Sequence, residues 1–315
     1  MAIAQGLFSI FIFPGFLFLV IFGFIAEFYD RKIYARFQNR QGPPWFQPFA
    51  DFIKLAAKES IVPEEADPTL FKLMPVFGLA SVVTASIYIP LWKTQALFSF
   101  SGDIIVVLYL LTIPTLTLFL GGWYSRSVYS TLGSMRSLTQ LFSYEIPLLA
   151  SVLASALLAD TWSLSEIAAF YNQHPWLWVC NMPGFIIAIT TLMGKLEKGP
   201  FDIPEAETEI VAGSLTEYSG KLLGFFRMMI NTEVVVGASL LAAVFLPFGL
   251  TLAPVVGFVL FIFKVFLIVS VISLFRTVLA RLRIDQMVNL CWKYMAPLAF
   301  FQILLNLVVK GMLVR

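Results

Sequence analysis

The stretch APVVGFVLFIFKVFLIVSVISLFRTVLA, residues 253–280, is the segment of the sequence that decides the fold. Between Ala253 and Phe275 the only charged side chain is Lys264. An α-helix rises about 1.5 Å per residue, so about 20 apolar residues are enough to cross the hydrocarbon core of a bilayer. The segment therefore predicts a transmembrane helix that contains a lysine.

Seven further apolar runs of similar length occupy most of the remaining chain. Of the 315 residues, 59% are hydrophobic and 13% are charged, whereas soluble domains contain about 25% charged residues. This composition excludes a large soluble domain and predicts an all-α integral membrane protein with a single membrane domain, residues 1–315. The eight predicted transmembrane helices are 3–28, 69–92, 103–123, 143–160, 175–194, 222–247, 253–280 and 287–310.

The distribution of basic residues predicts the orientation of these helices. The connections after the first, third, fifth and seventh helices, with the helix ends beside them, carry 17 of the 21 Lys and Arg residues. Basic residues collect in short loops on the cytoplasmic side of a membrane. We therefore expect a multi-pass protein of the cell membrane with its long loops in the cytoplasm and both termini outside.

The first long connection contains a segment with the pattern of an interfacial helix, residues 45–60. Its apolar side chains recur at the spacing of one helix face, and Lys54 and Lys58 are available to lipid headgroups. An ordinary loop is the alternative. The apolar residues of this face are Phe46, Phe49, Phe52, Ile53 and Ala56.

Two ionisable residues lie deep inside predicted transmembrane helices, where such residues are usually functional or paired. Glu233 lies 11 residues from the inner end of the sixth helix, and Lys264 lies 11 residues from the outer end of the seventh. At 1.5 Å per residue each is about 16 Å deep. We expect them either to neutralise each other or to line a path for protons or ions.

The connection 195–221 contains six acidic residues together with apolar residues of the kind that are usually buried. Glu205 and Glu209 are four residues apart, so a helix would place both on one face with Asp202 one turn earlier. Like charges at such distances raise one another's pKa and allow protons to be shared. The pattern favours a semi-buried functional element over a solvated acidic loop. Its six acidic residues are Glu197, Asp202, Glu205, Glu207, Glu209 and Glu217.

Three motifs in the inner connections carry a family resemblance. They are ARFQNRQGP at 35–43 with QPFADFIKLAAKE at 47–59, GSMRSLTQLFSYEIP at 133–147, and GPFDIPEAETEIVAGSLTEYSG at 199–220. Together they resemble the family of the complex I subunit, called H in bacteria, that joins the membrane arm to the peripheral arm. Relatives of that subunit occur in membrane-bound hydrogenases and in the archaeal sulfane reductase. The resemblance covers nearly the whole chain.

The resemblance implies eight transmembrane helices and inner loops that dock on peripheral subunits. It also implies that loop carboxylates begin a chain of charges which couples redox chemistry to proton or ion movement. By position, the matching residues are Asp202, Glu205, Glu207 and Glu209 in the acidic loop, Arg136 and Glu145 in the second motif, and Glu217 in the Glu-Tyr-Ser element. Glu233 and Lys264 extend this chain into the membrane, and Arg36, Arg40 and Lys54 are the candidate docking residues.

Two departures from the quinone-reducing branch point to the hydrogenase and sulfane reductase branch. The element GPPWFQP, residues 42–48, is shorter than its counterpart, and Ile230 stands where the quinone branch has a helix carboxylate. We therefore expect a coupling subunit of a ferredoxin-linked complex that binds no cofactor itself. Its expected partners are a hydrogenase-like large subunit, a small subunit with iron–sulfur clusters, antiporter-like membrane subunits and the lipid bilayer, with no nucleic acid.

Three other interpretations stay open from the sequence. The first is the quinone-site H subunit of NADH-quinone oxidoreductase. The second, of another class, is a stand-alone ion-coupled transporter with Glu233 and Lys264 at its site. The third is a membrane enzyme with its own active site, which no nucleophile–base pair or metal-ligand pattern in the sequence supports. The terminal electron acceptor and the pumped ion do not follow from the residues.

Overall fold

Every regular element in the computed structural model is a helix. The structure describes residues 2–313, and it describes the side chains of residues 6–206 and 209–312. The α-helices in chain order are α1 Ala2–Phe11, α2 Phe16–Phe37, α3 Gln47–Ala57, α4 Pro68–Ile87, α5 Asp103–Tyr124, α6 Val128–Ala159, α7 Leu164–Gln173, α8 Leu177–Lys195, α9 Glu207–Ile210, α10 Gly220–Phe245, α11 Pro254–Val278, α12 Ile284–Asn289 and α13 Ala296–Leu313. A short 3₁₀-helix, Gly213–Leu215, follows α9, and a π-helix, Leu290–Met295, joins α12 to α13.

Eight helical segments within residues 2–313 are long and apolar enough to cross a membrane. This confirms the predicted all-α membrane fold with eight transmembrane helices. The central helix is α10. In its apolar 18-residue stretch, 94% of the residues are buried, compared with 39% in α11 and 22% in the last segment, Ile284–Met312. Helix α10 packs against α2, α3, α4, α8 and α11. The core of the bundle therefore surrounds α10, and Glu233 lies on this helix.

The fourth predicted transmembrane helix begins 15 residues earlier than its apolar run indicates, at Val128 instead of residue 143. The added turns contain buried hydroxyl and amide side chains, among them Ser130, Ser134 and Gln140. Ser130 and Ser134 each hydrogen-bond backbone carbonyls nearby, and Ser134 Oγ donates to the Ser130 carbonyl at 2.7 Å. Because the serine hydroxyls and the Gln140 Nε2 group donate to backbone carbonyls within the bundle, hydropathy alone does not show that the helix continues through them.

Other helix ends also differ from the apolar runs. The first predicted helix is divided into α1 and α2 around Pro14, and α2 continues to Phe37. The connection 161–174, expected to be a short outer loop, contains α7. Helix α4 begins where Asp67 caps it, since the Asp67 carboxylate accepts from the backbone N–H of Thr69 at 3.0 Å.

The predicted interfacial helix is α3, which lies beside the inner end of α2. Phe49 and Phe52 pack against Phe24 of α2, with ring centroids 5.1 Å and 5.5 Å apart. Phe46 and Ile53, assigned to the same face in the sequence, are instead 50% and 66% exposed. The apolar residues of α3 are thus divided between the bundle and its surroundings.

The acidic connection 196–219 is held against α5 and α6 by glycines. Gly213 has φ +55°, and a Cβ at this residue would lie 1.9 Å from the Pro204 carbonyl oxygen. On α6, a Cβ at Gly133 would lie 2.5 Å from the backbone of Gly213. A positive φ and such close backbone approaches both require glycine. Phe201, Ile203 and Ile210 of this connection are buried, which agrees with the predicted semi-buried element.

Candidate functional site

A cavity of about 730 Å³ opens at the end of the bundle that carries α3 and the acidic connection. Thirteen of its lining residues are charged, so it is a polar chamber reaching between the helices. Its most buried ion pair is formed by Lys195 and Glu233, on α8 and α10. The charged lining residues are Glu27, Asp30, Arg31, Asp51, Lys195, Glu197, Lys198, Asp202, Glu205, Arg227, Glu233, Arg276 and Arg281.

Lys195 and Glu233 form a buried ion pair inside the bundle. Lys195 Nζ lies 2.9 Å from Glu233 Oε1, and their side chains are 2% and 4% exposed. Lys195 Nζ also donates to the Leu111 carbonyl and lies 5.8 Å from the centroid of the Tyr144 ring. Two charges removed from water in this way need each other, because an unpaired buried charge is strongly destabilising.

The sequence-based alternative in which Glu233 and Lys264 neutralise each other is wrong. Lys264 Nζ donates to the carbonyl of Phe248, just after α10 ends, and lies 4.4 Å from the centroid of the Phe248 ring. Equal depth in adjacent helices does not bring two side chains together, because their direction around each helix also decides whether they meet. Lys264 is not among the residues that line the cavity.

Glu197 lies on the cavity wall directly after α8. Its φ is +49°, and its Oε1 accepts a hydrogen bond from Ser137 Oγ at 3.2 Å. Burial, assisted by the negative charges of Glu205 and Glu233, raises the pKa of the Glu197 carboxyl to about 8 against the opposing effects of Ser137 and Lys195. Glu197 is therefore a carboxyl group that gains or loses a proton near neutral pH.

The acidic residues predicted to share one helix face are separated and paired with arginines. Helix α9 has only four residues, so Asp202 and Glu205 precede it. Arg136 Nη1 donates to Glu209 Oε2 at 2.7 Å, and this contact lowers the pKa of the Glu209 carboxyl, opposite to the expected like-charge effect. Asp202 pairs with Arg281 at 3.3 Å, and Glu205 pairs with Arg227 at 3.3 Å.

The other predicted coupling residues lie at different distances from the cavity. Glu217 is partly buried and is not among the lining residues. Glu145 lines a separate cavity of about 20 Å³ together with Tyr144 and Lys195. The side chain of Glu207 lies outside the residues that the structure describes.

The predicted docking residues Arg36, Arg40 and Lys54 are exposed. They lie at the end of α2, directly after it, and on α3. The cavity is lined by other residues of the same elements, including Arg31 and Phe52. These three cations therefore present positive charge on the elements that form the cavity wall.

Sequence reasoning missed a buried carboxylate, Asp30, at the cavity wall. Asp30 is 3% exposed and contacts Lys198 at 3.3 Å, Arg276 at 3.5 Å and Ser273 Oγ at 2.5 Å. Its position near the end of a long apolar run made it resemble an ordinary interfacial residue. Only the structure identifies Asp30 as buried and paired, because its partners come from α11 and from the connection after α8.

A second group missed in the sequence connects α2, α3 and α10. Glu27 pairs with Arg31 and accepts a hydrogen bond from Asn231 of α10. Arg31 also donates to Asp51 Oδ2 of α3 at 3.1 Å. This network holds α3 at the cavity and supplies further charged groups to the cavity wall.

A sequence model of the NADH dehydrogenase family matches residues 9–307. The H subunit of NADH-quinone oxidoreductase from Carboxydothermus hydrogenoformans is 32% identical over 300 residues, which cover 92% of this chain and 85% of the relative. The H subunit of the same enzyme from Dehalococcoides mccartyi is 35% identical over 308 residues, with coverage of 93% and 84%.

The fold is also similar to a chain in the structure of the membrane-bound sulfane sulfur reductase, an archaeal respiratory membrane complex. The TM-score is 0.83 at 23% identity, and the match covers 92% of this chain and 96% of the other. At this identity the likeness concerns the fold alone. The family match and the curated relatives extend along nearly the whole sequence, as the three motifs predicted. The chain belongs to the NADH dehydrogenase family, as a protein similar to the H subunit of NADH-quinone oxidoreductase.

Proposed function

We propose that this chain is the membrane-anchor and coupling subunit of a complex I-like, ferredoxin-linked redox complex. The complex would be a membrane-bound hydrogenase or a sulfane reductase, and it would link electron transfer to proton or sodium translocation. The observation that carries this proposal is the charged cavity, which begins at the acidic connection and ends at the buried Lys195–Glu233 pair. Ionisable residues inside a membrane mark ion paths and proton relays.

The cavity supports coupling because its carboxyl groups respond to a charge that changes nearby. Electrons would reach an acceptor in a neighbouring subunit at the mouth of the cavity. With a pKa of about 8, the Glu197 carboxyl changes its protonation after a small change in local potential. A shift of one pKa unit corresponds to about 1.4 kcal/mol. A redox event at the mouth therefore changes the charge next to Glu233.

The same arrangement supports a proposed orientation and a proposed set of partners. The end that carries the cavity also carries the basic connections, so we assign it to the cytoplasm, with both termini outside. The exposed cations Arg36, Arg40 and Lys54 would dock a hydrogenase-like large subunit and a small subunit with iron–sulfur clusters. Antiporter-like membrane subunits, beside this chain in the bilayer, would carry the ions.

A quinone-site subunit is the second candidate, and the names of the curated relatives favour it. The lining of the cavity argues against it. A site for an apolar ligand is lined mostly by hydrophobic and aromatic side chains with few polar groups, whereas most residues around this cavity are charged. Phe24, Phe52 and Ile230 form only part of the wall.

The first experiment is mass spectrometry of the complex that co-purifies with this chain in mild detergent. The proposal predicts a hydrogenase-like large subunit, a small iron–sulfur subunit and antiporter-like subunits. A large subunit that retains nickel ligands would indicate a hydrogenase, and one without them would indicate a sulfur or quinone reductase. Recovery of the chain alone, or as a homo-oligomer, would contradict the proposal and favour a stand-alone transporter.

A further inference from the structure

Lys195 lies between two cavities that each contain a carboxyl group. On one side it faces the charged cavity with Glu233, and on the other it lines the 20 Å³ cavity with Tyr144 and Glu145. The smaller cavity is otherwise apolar apart from Thr112. A volume of about 10–15 Å³ is enough for one water molecule with polar neighbours. The small cavity thus has space for a water molecule beside Lys195 and Glu145.

Around Lys195 there are more carboxyl groups than ammonium groups. One ammonium group lies beside two carboxyl groups, since it is paired with Glu233 and lines the smaller cavity together with Glu145. The Leu111 carbonyl and the Tyr144 ring hold the ammonium group between them. Both partners of the ion pair are almost completely buried, and interactions between charges are stronger there than in water.

We propose that Lys195 is a two-position charge switch that passes the protonation state of Glu233 to Glu145. This inference rests on the proposed coupling function and identifies the residue that connects the cavity to the interior of the bundle. While Glu233 is ionised, the Lys195 ammonium stays with it. When Glu233 takes up a proton, the pair loses its attraction and the ammonium turns toward Glu145.

The switch conserves protons and charge. One proton enters from the cavity and forms the neutral carboxylic acid of Glu233. Lys195 keeps its own proton throughout, and its flexible four-carbon stem allows the ammonium group to move. An approaching cation favours the ionised form of a carboxyl group, so a protonated Glu145 passes one proton to a water molecule in the small cavity beside it. One proton has then entered at Glu233 and one has left from Glu145.

The test uses redox-induced infrared difference spectra of the complete complex in liposomes, together with ions transported per electron pair. The infrared bands of the Glu233 and Glu145 carboxyl groups are assigned as the bands that disappear in Glu233→Gln and Glu145→Gln. The switch predicts that both bands respond to reduction in the wild type, and that in Lys195→Met the Glu145 band no longer responds and ion transport is lost. Lys310→Met, which removes an exposed pair with Asp160, is the control and should behave as wild type.

A second variant keeps the test decisive if Lys195→Met does not assemble. In Lys195→Met/Glu233→Gln no buried charge is left unpaired at the pair, so the fold is preserved while the switch is absent. The switch predicts that the Glu145 band does not change on reduction in this variant. A Glu145 band that still responds would show that Lys195 only neutralises Glu233, and would overturn the inference.

The wild-type result separates this inference from the proposed function. If the wild-type complex transports ions and the Glu145 band still responds in the Lys195 variants, only the switch is contradicted. A wild-type complex that oxidises and reduces its substrates without transporting ions contradicts the coupling function, and the switch with it.

Discussion

Lys195 Nζ of α8 lies 2.9 Å from Glu233 Oε1 of α10, and both residues of this buried ion pair line the charged cavity. It connects the helix that leads into the acidic connection with the central helix of the bundle. A change of charge on either residue is therefore felt both at the cavity wall and in the core.

The first prediction concerns the stability of this pair. Lys195→Met alone leaves Glu233 as an unpaired charge, and loss of one partner of a buried pair costs about 3–5 kcal/mol. We expect the single variant to lower the midpoint of thermal unfolding of the complex markedly. Lys195→Met/Glu233→Leu, with apolar groups at both positions, should recover most of that loss. Equal destabilisation in both variants would show that the pairing does not determine stability.

The second prediction concerns the titration of Glu197. Its folded-state pKa of about 8 lies above the ordinary carboxyl value of 4.5, so the folded protein binds the extra proton more tightly than the unfolded chain. The stability from this group is complete below about pH 4.5 and is lost as pH rises through about 8. Infrared titration of the carboxyl band, assigned by its loss in Glu197→Gln, should give a midpoint near pH 8.

The neighbours of Glu197 provide controls of opposite sign. Glu205→Gln removes a negative charge and should move the midpoint to lower pH. Ser137→Ala removes the hydrogen bond that favours the ionised form and should move it to higher pH. A Glu197 midpoint that is unchanged in both variants would contradict the assigned causes of the pKa shift.

The third prediction concerns the tether between the acidic connection and α6. Arg136→Ala removes the contact with Glu209, so the pKa of the Glu209 carboxyl should rise toward its ordinary value. The same change should increase hydrogen exchange in residues 205–212. Lys93→Ala, which removes an exposed cation outside this contact, is the matched control. Equal exchange in Arg136→Ala and Lys93→Ala would show that the connection is held by other contacts.

The fourth prediction concerns the glycine that allows the connection to turn. Gly213→Ala places a Cβ at φ +55° and against the Pro204 carbonyl. A left-handed conformation costs a non-glycine residue about 1–2 kcal/mol even without a clash. We expect weaker assembly of the peripheral subunits, measured by their recovery after purification. Gly311→Ala, where nothing lies within 4 Å of the new Cβ, should assemble normally, and a similar loss there would contradict this explanation.

The fold was largely predictable because hydrophobic length is a strong signal in a membrane protein. The start of α6 was not, since its first turns contain the polar residues Ser130, Ser134 and Gln140, whose hydroxyl and N–H groups donate to carbonyls inside the bundle. Apolar runs indicate which segments are buried in lipid, whereas these turns are buried in protein. Hydropathy does not distinguish such turns from a loop.

The sequence predicted which types of residue occur in the candidate site, but it did not predict which of them contact each other. The acidic connection was identified, but its carboxylates face arginines instead of one another. Glu233 was predicted to be a charge inside the membrane, but with the wrong candidate partner, because the sequence shows Lys195 only as one more basic residue at a helix end. Only the three-dimensional arrangement shows that this lysine turns inward and is buried.

The most direct test of the coupling function compares Glu233→Gln with wild type in the assembled complex, reconstituted into liposomes. Electron transfer and ion transport are measured together in the same preparation. The coupling function predicts that the Glu233→Gln complexes that do assemble transport far fewer ions per electron pair than the wild type. Wild-type transport per electron pair in a fully assembled Glu233→Gln complex would contradict it.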